Sequence, residues 1–178
     1  MHNLFFALRP DQKAAGHIAF QCDRQRLRHG LSGRPVGRDC LHISLNPLGV
    51  GHERPWPLIA RASKAVSTIP TRPFVVALDR VVSFQNAVGR RPLVLTGEDG
   101  VIGVCALYSA IHQALADALV VRRPEPSVIP HVTMLRDRRA TPEEFVTPVR
   151  WWVREFVLID SLYGESRHEV LGRWPLIG

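Results

Sequence analysis

Short apolar stretches bounded by Pro, Gly and Asn alternate along this chain with longer ones whose apolar residues recur every three or four positions. The first kind predicts strands and the second helices. Leu4 to Leu8 is a short apolar strand closed by Arg9-Pro10. Asp11 is placed to cap a helix from Gln12 to His29. That helix carries Ala15, Ile18, Ala19 and Cys22 at helical spacing and ends in Arg24, Arg26 and Arg28 before Gly30. A loop from Leu31 to Asp39 leads into a strand around Leu41 to Leu45, which Asn46-Pro47 is expected to stop. A second loop runs from Gly49 to Pro57. Gly49-Val50-Gly51 opens like a dinucleotide fingerprint, but Arg54 stands where the third glycine belongs and no βαβ pattern surrounds it.

The second half of the pattern is similar. A helix is predicted from Pro57 to about Thr68, with strands at Phe74 to Phe84 and Arg91 to Thr96 and a turn at Asp99-Gly100. Leu107, Ile111, Leu115, Ala118 and Leu119 predict a helix over Val104 to Val121, followed by a Pro-rich loop at Arg122 to Ser127. A strand begins at Pro130-His131. Thr141 with Glu144 has the capping-box spacing of a helical turn, and Arg150 to Leu162 reads as one long strand. The chain closes with Arg173-Trp174-Pro175-Leu176. Strands with helices between them but no regular βαβ repeat predict an α+β fold. Its antiparallel sheets are expected to face each other across a groove, with helices packed outside.

Two of these strands carry the same pattern. Leu41-His42-Ile43-Ser44-Leu45 and Pro130-His131-Val132-Thr133-Met134 each read His, apolar, hydroxyl, apolar, one copy in each half of the chain. Residues i and i+2 of a strand share a face. His42 with Ser44, and His131 with Thr133, are therefore expected to face a cleft while Ile43, Leu45, Val132 and Met134 enter a core. One such tripeptide is weak evidence, because a strand histidine is more often structural. Two copies in matching apolar strands are much harder to obtain by chance.

Composition bounds the picture without changing it. The 178 residues are 46 % apolar and 22 % charged, as expected of one soluble domain spanning 1–178. No run approaches the roughly 18 apolar residues of a membrane span, and Leu4 to Leu8 is too short for a signal segment. Cys22, Cys40 and Cys105 are an odd count without close pairing, which fits free thiols in a reducing cytoplasm. CxxC, HxxxH and HExxH are absent, so no metal and no cofactor is expected. The net charge of +7 rests almost wholly on arginine, since Lys13 and Lys64 are the two lysines. Arginine grips phosphate bidentately, which suits a polyanion such as RNA. Arginine bias from a GC-rich coding sequence explains the same excess.

Two histidines on one cleft are equipment for acid–base work on a phosphodiester. A neutral imidazole accepts a proton from the nucleophile and an imidazolium donates one to the leaving oxygen. The hydroxyls of Ser44 and Thr133 can donate to the non-bridging oxygens, where charge grows. Two other readings stand beside this one. In the first, the cleft serves a binding module that grips phosphorylated RNA ends without turnover. In the second, Cys40, two residues before His42, is the nucleophile of a thiol hydrolase, although a cleft-lining thiol is the more ordinary role. No GxSxG elbow or P-loop occurs. His2, His17, His29, His52, His112 and His168 lack a comparable setting and read as surface or local hydrogen-bonding residues.

At its two motifs the sequence resembles the 2H phosphoesterase superfamily, and specifically the bacterial 2′-5′ RNA ligase group, also described as RNA 2′,3′-cyclic phosphodiesterases. The likeness extends over Leu4 to Leu8, Leu78 to Phe84, Arg91 to Leu95, and Phe156 to Leu162 through Arg173 to Leu176. It implies a bilobal fold with pseudo-twofold symmetry and metal-independent opening of a 2′,3′-cyclic phosphate to a 2′-phosphomonoester, with possible reverse ligation. By that resemblance His42 would protonate O3′ and His131 would activate water. Ser44 and Thr133 would hold the phosphate, and Arg136 would add a phosphate contact. Partners are expected to be RNA ends or cyclic nucleotides, with no membrane and with the chain a monomer. Two departures are Ser44 in place of the commoner Thr, and Asn46-Pro47-Leu48-Gly49 in place of a Phe-Leu-Gly continuation.

Overall fold

The computed structural model describes residues 1–84, 89, 91–122, 127–162, 164–165 and 167–177. Its strands are β1 (His2–Leu8), β2 (Ile43–Gly51), β3 (Phe74–Ser83), β4 (Arg91–Thr96), β5 (His131–Asp137), β6 (Glu144–Val153), β7 (Glu155–Leu162) and β8 (Arg167–Pro175). Its α-helices are α1 (Gln12–His29), α2 (Trp56–Val66) and α3 (Ile102–Asp117). The strands follow the order β6-β3-β4-β5-β2-β1-β7-β8, with every pair antiparallel. The β2–β5 connection consists of one residue pair, Ile43 with Val132. The array is thus two four-stranded antiparallel sheets joined at their inner strands, and the inner strands are the two that follow or carry the motif histidines. The α+β architecture expected from the pattern is the one present.

Local rules place α1 where the pattern put it. The Asp11 carboxylate accepts the Ala14 N–H at 2.8 Å, and Gly30 closes the helix in the left-handed region at φ 62°. Ala14, Ala15, Ile18 and Cys22 are buried, against β5 and β6 of the sheet to which the neighbouring β1 does not belong. Likewise α3, which follows β4, packs on β2, β3 and α2. α1 and α3 therefore each tie one sheet to the other. The main core lies between helices and sheets, with Leu4, Phe6, Leu8, Ile43, Val132 and Leu135 among its residues. Phe5, Ala7, Val157 and Ile159 form a small second cluster on the other face of β1 and β7.

Several expectations are corrected. Asn46-Pro47 does not end the first motif strand. β2 continues to Gly51, which also removes the start of the loop expected at Gly49. It does so through two register shifts against β1, and Pro47, which lacks an N–H, sits at these irregularities. Thr141 caps no helix. It is buried in front of β6, where its N–H donates to Ser83 Oγ at 2.9 Å and its hydroxyl lies 3.2 Å from the same oxygen. The long strand at Arg150 to Leu162 is two strands broken at Arg154: β6 is one edge of the array, and β7 lies in the other sheet between β1 and β8. Asp99-Gly100 opens a 3₁₀ turn that runs into α3, and α3 ends at Asp117 rather than Val121. Of the loop expected at Arg122 to Ser127, residues 123–126 lie outside the described residues. With its leading turn, α3 is apolar and long enough to cross a membrane by composition, and its Val104, Leu107, Ile111 and Leu115 are buried within the protein.

Candidate active site

Both motifs reach the same cleft, but through different local geometry. His131 is the first residue of β5, whereas His42 lies one residue before β2 and two after a 3₁₀ turn over Arg38–Cys40. The cleft encloses about 790 Å³, and His42, Ser44, His131, Thr133 and Arg136 all line it. A separate depression of about 550 Å³ on α1, lined by Phe20, Asp23, Arg24, Leu27 and Arg28, gathers no pair of acid–base groups.

The two histidines are held by mirrored contacts. His42 Nδ1 lies 2.7 Å from the carbonyl oxygen of Cys40, and His131 Nδ1 lies 2.7 Å from that of Ile129. A carbonyl only accepts, so each Nδ1 must carry the hydrogen. In the neutral rings this leaves the lone pair on Nε2. Ser44 Oγ is 3.0 Å from His42 Nε2 and donates its hydroxyl hydrogen to it. Burial is the first cause lowering the His42 pKa, to about 4, with His168, His131 and Arg9 adding repulsion against the Cys40 bond. Burial also lowers His131, assisted by Arg136 and opposed by its bond to Ile129. Lowered from the ordinary 6.5, both imidazoles are mainly neutral at pH 7.

A single extra residue explains why Arg136 joins them. In the β4–β5 ladder Leu93 pairs with Leu135 but the next residue, Val94, pairs with Thr133. Met134 is therefore the extra residue of a β-bulge. Met134 and Leu135 are both buried, and alternation resumes one position late. Arg136, three residues after Thr133, then returns to the face of Thr133 and His131. In β2 the same happens after Ser44: Leu45 and Asn46 are both buried, and Pro47, three residues on, lines the cleft opposite Phe5. The two motifs thus correspond through five successive positions beyond each histidine, with Pro47 where the second copy has Arg136.

The structure adds residues that the pattern did not single out. His168, read from sequence as local, stands on β8 in the cleft, edge-on to His42 with ring centroids 5.0 Å apart. Burial and Arg9 lower its pKa, so it too is neutral at pH 7. Phe5 packs its ring 5.0 Å from that of His42. Arg34, Asn3 and Ser161 complete much of the wall. Cys40 lines the cleft as expected, but burial and then Asp39 raise its pKa above 9.0, so it holds its proton at neutral pH. A resting thiol does not suit the nucleophile of a thiol hydrolase. Among the described residues no group of three or more His, Cys, Asp or Glu side chains is arranged to hold a metal ion.

Two His-x-hydroxyl motifs facing one cleft across a two-sheet α+β fold define the 2H phosphoesterase class. Known proteins agree with the geometry. The sequence model of the 2′-5′ RNA ligase superfamily matches residues 10–165. Escherichia coli LigT in its apo form superposes with a TM-score of 0.71 at 27 % identity, over 99 % of this chain and 98 % of that one. A protein described as a phosphoesterase gives 0.72 at 26 % over the whole of both chains. TT0787 of Thermus thermophilus gives 0.74 at 20 %, over 98 % and 97 %, and shares the fold. None of the curated proteins matches. The chain belongs to the 2′-5′ RNA ligase superfamily.

Proposed function

We propose that this phosphoesterase opens 2′,3′-cyclic phosphates, on RNA ends or nucleotides, to 2′-phosphomonoesters. The observation that carries the reading is the pair of imidazoles with Nδ1 tied to backbone carbonyls and Nε2 turned to one cleft. Water attacks phosphorus and gives its proton to His131 Nε2. The P–O3′ bond breaks, and O3′ takes a proton from the Nε2–H of a protonated His42. Thr133, and Ser44 once it releases His42, donate hydroxyl hydrogens to the non-bridging oxygens, and Arg136 adds charge. The acid and base so assigned need no metal ion. With a 5′-hydroxyl replacing water as the nucleophile, the same steps form a 2′-5′ bond.

The resting state sets one condition. With a pKa of about 4, His42 carries a proton in about one molecule in a thousand at pH 7. A bound phosphodiester anion beside Nε2 favours the imidazolium and so loads the acid. Escherichia coli LigT has crystal structures in complex with phosphate and with 3′-AMP, which supports a phosphate-bearing ligand for the cleft of this chain.

The test is incubation of EDTA-treated protein with a 2′,3′-cyclic nucleotide and with a short RNA ending in one, separating 2′- from 3′-phosphate products. The expected product is the 2′-phosphate, with His42→Ala and His131→Ala each lowering kcat roughly 10²–10⁴-fold. A 3′-phosphate product would exchange the two roles. Binding without turnover in the wild type would leave a binding module instead.

A further inference from the structure

The two motifs are alike in sequence but not in the state of their hydroxyls. Ser44 Oγ lies 3.0 Å from His42 Nε2. Among the described residues no hydrogen bond joins Thr133 to His131, whose ring stands edge-on to Phe84 with centroids 4.9 Å apart. The resting acid is therefore capped by its own motif hydroxyl, while the resting base is open.

The cap has a direction. His42 Nδ1 gives its hydrogen to the Cys40 carbonyl, so in the neutral ring Nε2 only accepts, and the Ser44 hydrogen points to it. That hydrogen is then withheld from an anion in the cleft. A proton on Nε2 reverses the bond, because an imidazolium only donates. Nε2–H then donates to Ser44 Oγ, and the hydroxyl hydrogen turns outward to a phosphate oxygen. The reversal needs only rotation about the Cβ–Oγ bond, while the Ser44 backbone stays in the β1–β2 ladder opposite Ala7. Hydrogen bonds that run in one direction strengthen each other. Thr133 is under no such control, since its hydrogen is available whatever the charge on His131. Other charged or titratable groups surround His42: His168 from β8, His131 from β5, Arg9 after β1, and Asp39 and Cys40 in the turn before β2. His168, His131 and Arg9 oppose a charge on the ring. Among the described residues, the hydrogen-bond partner of Nε2 is Ser44.

We propose that Ser44 couples anion binding to the arming of His42: its hydroxyl hydrogen reaches the phosphate only when Nε2 carries a proton. The cleft then grips a phosphate with both motif hydroxyls only when the acid is loaded. One proton is taken up from solvent at Nε2, and no covalent bond to phosphorus changes in this step. Ser44 is thus a positioning residue for the proton as well as a phosphate ligand, whereas Thr133 is a phosphate ligand alone. The consequence for turnover rests on the hydrolase reading above, and the coupling itself does not.

The test is the calorimetric Kd of sulfate, whose own charge is constant from pH 8 to pH 5. Ser44→Ala should weaken sulfate binding roughly 10-fold at pH 5, where the bound state carries the proton, and much less at pH 8. Thr133→Ala should weaken it by one factor at both. Ser44→Thr keeps a hydroxyl and should keep the wild-type pH dependence. In a His42→Ala background the Ser44→Ala loss should be the same at pH 5 and pH 8. Equal Ser44→Ala losses at the two pH values with His42 present would overturn the coupling. So would a pH-dependent loss that persists without His42, which would put the proton on His131 or His168. Protein that shows the expected sulfate pattern but opens no cyclic phosphate would sink the hydrolase reading and leave the coupling standing. Ser44 is exposed, so its replacement removes no core contact, and an unchanged thermal transition in each variant confirms that it is folded.

Discussion

His42 is unusual for an acid because it is neutral at rest. Its low pKa comes first from burial, and the neighbouring His168 and His131 disfavour a further positive charge there. An anion in the cleft reverses this by favouring the protonated ring, so anion binding must take up a proton. The sign follows: affinity should rise as pH falls, because acid supplies the proton that binding requires. Sulfate keeps its charge between pH 8 and pH 5 and isolates the effect. Its Kd, measured by calorimetry, should fall steadily over that range, and the His42 Cε1–H resonance should titrate at higher pH with sulfate than without. A flat Kd would mean that neither histidine is loaded by the anion. At this scale the sequence showed the essential pairs, because a His and a hydroxyl two apart on a strand carry their own geometry. It did not show His168, which meets His42 only because β8 folds back beside β7, itself paired with β1. Nor did it show Arg34, whose position depends on a register between a loop and β5.

At the scale of elements, the irregularities matter more than the regular spans. α1 was legible from its cap to its closing glycine because helix ends are local chemistry. The Thr141 turn was misread because the same residue types satisfy a different neighbour, Ser83, from a distant strand. The close approach of the Arg34 loop to β5 gives a direct test. A Cβ on Gly33 would run into the Arg136 carbonyl oxygen and lie 3.1 Å from Leu135 Cδ1, so the backbone must shift. Gly33→Ala should cost about 1–3 kcal/mol, read as a fall in Tm of roughly 3–10 °C. An unchanged Tm would show that the loop can lift from β5 without cost.

The whole molecule consists of two sheets that meet at one residue pair and are held together by helices crossing from one to the other. Its architecture was legible because antiparallel strands and amphipathic helices announce themselves by period. The strand order was not, since β7 and β8 return to pair beside β1 from the far end of the chain. That return makes the fold indivisible. β1 pairs with β7 along six residues, and Phe6 packs on Phe156 and Trp174 at 6.0 and 5.6 Å. A chain ending at Arg154 leaves β1 with an open edge and Phe6 without those neighbours. It should show no cooperative thermal transition by calorimetry, and a sharp transition near that of the full chain would contradict this account.

The bulge at Met134 also bears on how such surfaces are spelled. Without an extra residue, a regular strand would offer the same trio of imidazole, hydroxyl and guanidinium from the string His-x-Thr-x-Arg. Here the spelling is His-x-Thr-x-x-Arg, because one letter is spent on the kink. The two strings are synonyms in three dimensions. A pattern that fixes the third spacing will miss one of them, and a one-letter insertion or deletion between the hydroxyl and the arginine can leave the meaning of the site intact.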